Sequence, residues 1–278
     1  MYKSQYNSLR ADEYHTNSLL IKFKTMEIYN ESVQWFNKQE NPEMHDNNAQ
    51  GFIIGLWWLF IMAELIYKID QAVEEMSLLK HPFYRMWSNG ELSLNQLQGY
   101  SLEYFQLVKM VPEMVNSIKL NLQESKLKSI VEESQREESS HIEPWIKFAN
   151  SIGVKSEQLL NYTCDGNTKN AVTSLLELTK KLHEGMCAMY AYELELPKIS
   201  RSKIDGLNKF YNISSADSTN YFEIHEEADI RHADIWRRMI KNIPANKHFI
   251  CFDAAVKSLQ SQNLLLDAVY EKYVSPYN

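Results

Sequence analysis

Turn-forming residues are too scarce in this chain for a fold of many short strands. Eight glycines and seven prolines are spread over 278 residues, about half the usual share of these two types. A sheet of short strands needs a turn roughly every 8–12 residues. Apolar residues instead recur at three- and four-residue intervals along nearly the whole chain, the period of a helix with one buried face. Helices are predicted at about 52–79, 93–121, 123–151, 168–195, 200–211, 218–242 and 247–273, with a short turn of helix near 157–162. Ser93 and Gln96 form a capping box that opens the second of these. Pro112 should kink or divide it, and Pro144 should kink the third. Gly153 and Pro197 read as terminators. The expected fold is all-α, a bundle of seven to eight antiparallel helices around one core.

Residues 1–50 differ from the rest, being rich in Asn, Gln, Lys, Glu and Tyr, and they end in the loop-like NPEMHDNNAQG. They read as an N-terminal extension of unknown role, with the helical domain at 51–278; a true start near Met62 is the other reading. The uncharged run Gly51–Ala63 is shorter than the roughly 18–20 apolar residues a spanning helix needs, and it lacks the position and basic flank of a signal peptide. It is expected to be a buried helix start, with no stable membrane insertion. A net charge of −7 gives no reason to expect nucleic acid or an anionic membrane as partner. Cys164, Cys187 and Cys251 are scattered and odd in number, which suits a reducing cytoplasm and excludes a disulfide framework.

The densest chemical signal is HEEADIRH, residues 225–232. At about 100° per residue, His225, Asp229 and His232 share one stripe of a helix, while Glu226, Glu227 and Arg231 point elsewhere. Helix 123–151 adds EESQREESSHIEPW, in which His141 follows Glu138 and Glu137 by three and four residues and precedes apolar Ile142, Trp145 and Phe148. An acid-x-x-His pair on a helix is the device by which bundle proteins hold two metals. Glu193, within MYAYELELP, would be costly to bury unless a cation held it; Glu195 should face outward. Three carboxylates and three imidazoles suit two divalent ions of iron or manganese, with positions left open for O2 or substrate.

HPFYRMWSNGELSLNQLQGYSLEYFQLVKMVPE, HIEPWIKFANSIGV, YAYELELPKISRSK and YFEIHEEADIRHA together resemble the haem-oxygenase-like dinuclear oxidases with the PqqC/TenA-like fold. Within them the chain is similar to the branch of 4-aminobenzoate synthases named for the chlamydial protein associating with death domains (CADD). The resemblance spans about residues 62–240. It implies a seven-helix bundle without haem, holding two irons or a manganese–iron pair and using O2 and an external reductant. His141, Glu193, His225, Asp229 and His232 fall on ligand positions. In that branch the remaining carboxylate lies seven residues before the first histidine, where this chain has Ser134. Related oxidases take it three residues before, which selects Glu138, ahead of Glu137 and then Glu133. The branch resembles enzymes that make 4-aminobenzoate for folate by oxidising and cleaving one of their own tyrosines, with a lysine giving the nitrogen. The matching positions are Tyr84 and Lys203, and Tyr100, Tyr192 and Tyr221 match aromatic positions around the site.

Three other readings start from the same residues. One is an oxidase of the same fold acting on an external amine or fatty acid. Another is a metal-free thiaminase-like enzyme with Cys187 as nucleophile, although a free cysteine in an apolar helix is more often inert core. The last is an interaction module, which would have no use for six convergent ligands. A homodimer is the assembly to look for.

Overall fold

The computed structural model describes residues 65–275. The extension 1–50 and the apolar run 51–63 lie outside the described residues. No strand occurs among them, and no helix is long and apolar enough to cross a membrane. The helices form a haem-oxygenase-like all-α bundle.

The described chain opens in α1 (65–75) and turns through a 3-10 segment, Leu78–Lys80. Helix α2 (Pro82–Asn89) starts sharply because Pro82 occupies its first turn and His81 caps it, Nδ1 accepting the Phe83 N–H at 3.1 Å. The other nitrogen, Nε2, is 3.1 Å from Asp267. The predicted capping box opens α3 (Leu94–Val108), with Ser93 and Gln96 exchanging both bonds. The chain divides before Pro112, as expected, and resumes as α4 (Val111–Asn121).

Two expected helices are broken where continuous ones were predicted. Residues 123–151 form α5 (Ser125–Ser140) and α6 (Ile142–Ser151), interrupted at His141. The break lies three residues before Pro144, whose ring excludes a regular helix over the preceding turn. After α7 (Ser156–Leu160), the span 168–195 splits into α8 (Gly166–Thr179) and α9 (Leu182–Glu193). No glycine or proline marks that break: Lys181 is extended, and the Lys180 carbonyl accepts a hydrogen bond from Asn121 of α4 at 3.1 Å. Pro197 lies in the first turn of α10 (Leu196–Phe210), which begins four residues before the predicted start. Helices α11 (Ala216–Ile240) and α12 (His248–Tyr273) complete the described chain.

Helix α9 is the centre of the bundle, packed on α8, α11 and α12, while α10 and α6 pack against α11. Nine consecutive residues of α9, Gly185–Glu193, are buried, so Glu193 ends a helix with no outward face. Glu195 does not simply face solvent as expected: its carboxylate accepts from Ser77 Oγ and, at 2.9 Å, from Leu78 N, tying α9 to the first 3-10 turn.

Candidate metal centre

The break at His141 places that residue at the junction of α5 and α6, opposite α11. Glu138, His141, Glu193, His225, Asp229 and His232 come from three places in the fold and meet in its interior, none more than 5% exposed. Two sets of potential ligand atoms lie within 4.8 Å of one another: Glu138, His141 and His225, and Glu138, Glu193 and His232. Glu138 belongs to both, the position of a bridging carboxylate. Asp229 stands beside the second set, with Oδ1 3.9 Å from His232 Nδ1.

The histidines are turned toward this centre by their outer nitrogens. His225 Nδ1 donates to the Tyr221 carbonyl at 2.6 Å, a bond that requires the proton on Nδ1 and leaves Nε2 a free lone pair. His232 Nε2 lies 2.7 Å from Glu137, whose carboxylate is itself held by Arg231 at 3.1 Å. His232 Nδ1 is thereby left facing inward, 2.9 Å from a Glu138 oxygen but without hydrogen-bond geometry. A carboxylate or carbonyl on the outer nitrogen is the usual way a metal-binding histidine is oriented. Glu137 takes this outer place and Glu138 the inner one, while Glu133 is exposed. Ser134 is buried, its hydroxyl turned back to the Ile130 carbonyl at 3.4 Å.

Buried polar atoms nearly always find a partner. Six among the described residues have none, and four of them are His141 Nδ1, Glu193 Oε2, Asp229 Oδ2 and His232 Nδ1. Burial and the neighbouring carboxylates Asp229 and Glu138 push the Glu193 carboxyl far above its ordinary range, and burial and Glu138 do the same to Asp229. Glu138 goes the other way: burial opposes its charge, but hydrogen bonds from His141 and His232 hold it well below the usual carboxylate range. Burial pushes His225 down to about 4, against the pull of Glu138, so the imidazole is neutral at pH 7, as ligation demands. Unpaired acids, neutral imidazoles and orphaned lone pairs in one dry cluster fit two divalent cations.

Beside this centre lies a second cluster that joins α2, α3 and α10. Lys203 Nζ is 2.6 Å from Tyr100 Oη, which is 3.2 Å from Tyr84 Oη. The amine also lies 4.8 Å from the centre of the Tyr84 ring and 5.0 Å from that of Tyr104. Lys203 is 4% exposed, and burial drives its pKa well below the usual range. Tyr221 lies against His225, ring centroids 4.1 Å apart, and Tyr192 is buried one residue before Glu193. All the residues singled out by resemblance are thus in or next to one site. Sequence reasoning gave no part to Tyr104 or Trp145, although each sits four residues after a chosen one, Tyr100 and His141, on the same helix face.

A family model, TENA/THI-4/PQQC, matches residues 68–243. The chain belongs to this family. Relatives of the TENA/THI-4/PQQC chain include the 4-aminobenzoate synthase of Chlamydia pneumoniae, 31% identical over 66% of this chain and 84% of its own length. The 4-aminobenzoate synthase of Nitrosomonas europaea is 27% identical over 74% of this chain and 91% of its own. Among solved structures, a TenA homologue from Pseudomonas syringae superposes with a TM-score of 0.65 over 75% of this chain and 92% of its own, at 16% identity. A CADD-like protein of unknown function from Nostoc punctiforme gives 0.62 over 77% and 99%, also at 16%. At that identity the structures speak for the fold alone.

The thiaminase-like alternative fails on chemistry. Cys187 is fully buried, and burial together with Cys251 pushes its thiol well above the ordinary range, whereas a nucleophilic cysteine needs the opposite shift.

Proposed function

We propose that the protein is an oxidoreductase that makes 4-aminobenzoate, as its named relatives do, from its own Tyr84 with nitrogen from Lys203. The observation that carries this reading is the Tyr84–Tyr100–Lys203 cluster. A lysine amine is buried among phenols, and among the described residues no carboxylate holds it as a cation. Such an amine is largely neutral and hence nucleophilic.

The product defines what must happen to Tyr84. Its phenolic oxygen is exchanged for nitrogen, its Cβ is oxidised to a carboxylate, and the Cα–Cβ bond breaks. Glu138, His141, Glu193, His225, Asp229 and His232 would hold two metal ions, iron with iron or manganese with iron. With an external reductant, these ions supply O2 activation. The protein residues keep the phenol and the amine within reach of each other and exclude water, so proximity decides which ring reacts. Tyr100 bridges the two reactive groups and can move a proton between the phenol and Nζ. An enzyme that consumes Tyr84 turns over once. The free buried thiols of Cys187 and Cys251 fit a reducing cytoplasm.

The test is to load the purified chain with iron and manganese, add reductant and O2 without substrate, and quantify 4-aminobenzoate by mass spectrometry. Release of up to one equivalent, lost in Tyr84→Phe, is expected. Bound metal without product would favour an oxidase of the same fold acting on an external small molecule.

A further inference from the structure

A continuous line of aromatic rings joins the candidate metal centre to the Tyr84–Lys203 cluster. Tyr221 lies on His225 at 4.1 Å between centroids, and Trp145 meets Tyr221 edge to face at 4.7 Å. Tyr104 stacks on Trp145 at 5.2 Å and 26°. Tyr100 lies against both, 5.1 Å from Tyr104 and 5.8 Å from Trp145. A second approach comes through Tyr192, next to Glu193 in the chain, whose hydroxyl bonds to Tyr104. The two approaches meet at the stacked Trp145–Tyr104 pair. The ring contacts that bypass this pair run through Phe222, and a phenyl ring is far harder to oxidise than an indole or a phenol. Both members of the pair are buried, and the Trp145 indole N–H donates to the Ser101 carbonyl at 3.1 Å.

We infer that Trp145 and Tyr104 form a one-electron relay between the metal centre and the Tyr100–Tyr84 phenols, an inference that rests on the dinuclear reading above. The oxidant is the metal pair after reaction with O2. It takes one electron from the relay, and the relay recovers that electron from Tyr100. The phenolic proton of Tyr100 passes to Lys203 Nζ across 2.6 Å. Tyr100 is then a neutral phenoxyl, the metal pair is reduced by one electron, and the amine has become an ammonium. Transfer of a hydrogen atom from Tyr84 across 3.2 Å restores Tyr100 and leaves the phenoxyl on Tyr84, the ring to be cleaved. Trp145 has no base at its nitrogen, only a carbonyl that cannot take the proton, so it passes the electron on without passing a proton.

The experiment compares the unaltered chain with a Trp145→Phe/Tyr104→Phe double variant, both loaded with metal, mixed with O2 and frozen at intervals. Metal content, metal oxidation by optical absorption and phenoxyl signal by electron paramagnetic resonance are read from the same samples. The expected result is equal metal content and equal metal oxidation, with the phenoxyl signal lost in the double variant. An undiminished phenoxyl signal in that variant overturns the relay. So does an unaltered chain whose metals oxidise without any phenoxyl, and in that case the dinuclear centre still stands. An unaltered chain that binds no metal overturns the dinuclear reading itself, and the relay with it. Should the double variant fail to fold, the two single variants read the same step as a slower rise of the phenoxyl signal. An unchanged rise in both overturns the relay.

Discussion

Glu138 faces both sets of potential ligands, so removing its charge should empty both. Glu138→Gln keeps the shape and loses the anion; metal analysis after equilibrium dialysis should find less than one ion per chain, where the unaltered chain holds two. Glu137 is a different case, because it touches His232 from outside. Glu137→Ala should keep the stoichiometry but weaken affinity roughly 10–100-fold, and Glu137→Gln, which still offers an acceptor oxygen, should recover part of the loss. Equal loss in all three variants would mean that Glu137 is itself a ligand. The two glutamates adjoin in sequence, and each stands close enough to His141 in helical spacing to share its face. What separates them is the position of α11, which brings Arg231 to one and His232 Nδ1 to the other.

At the scale of the helices, α10 is the element that delivers Lys203, and Gly206 sets how close it comes to α2. A Cβ at this position would lie 2.7 Å from Trp87 Cδ1 and 3.1 Å from the Trp87 carbonyl oxygen. Trp87 is buried and donates its indole N–H to the Lys203 carbonyl at 3.2 Å, so it has nowhere to go. Gly206→Ala gains up to about 1 kcal/mol in helix propensity but forces an overpacked contact costing about 1–3 kcal/mol. Net destabilisation, read as a lower denaturant midpoint, is expected. The same strain should move the amine away from Tyr100 and reduce 4-aminobenzoate release more than it reduces metal content. A midpoint equal to or above that of the unaltered chain would mean that the two helices separate without cost.

For the whole molecule, the cluster of acids makes stability depend on metal. Glu193 and Asp229, with pKa values raised by burial and by one another's company, and His232, raised by Glu138 and Glu137 against the effect of burial, all hold protons near neutral pH in the metal-free chain. Each must lose its proton to bind a cation, whereas Glu138 is already ionised. Metal uptake at pH 7 should therefore release about two protons per chain, and affinity should fall as pH falls. Calorimetry in two buffers of different ionisation heat measures this directly; a heat independent of buffer would show the acids already charged. Because the unfolded chain has no such site, free metal a hundredfold above Kd should stabilise the bundle by about 2.7 kcal/mol, visible as a drop in Tm on chelation.

The sequence alone determined the all-α class, since fifteen turn formers and a sustained helical period leave no room for a sheet. It also determined which side chains share a helix face, because that depends only on 3.6 residues per turn: His225 with Asp229 and His232, and Glu138 with His141. It could not show the break between α8 and α9, which has no glycine or proline and depends on Asn121 reaching the Lys180 carbonyl from another helix. Nor could it separate Glu137 from Glu138, or give Trp145 and Tyr104 a part beyond core packing. Those assignments depend on which helices meet across the core. Contacts between residues distant in the chain decide that, and a local period carries no record of them.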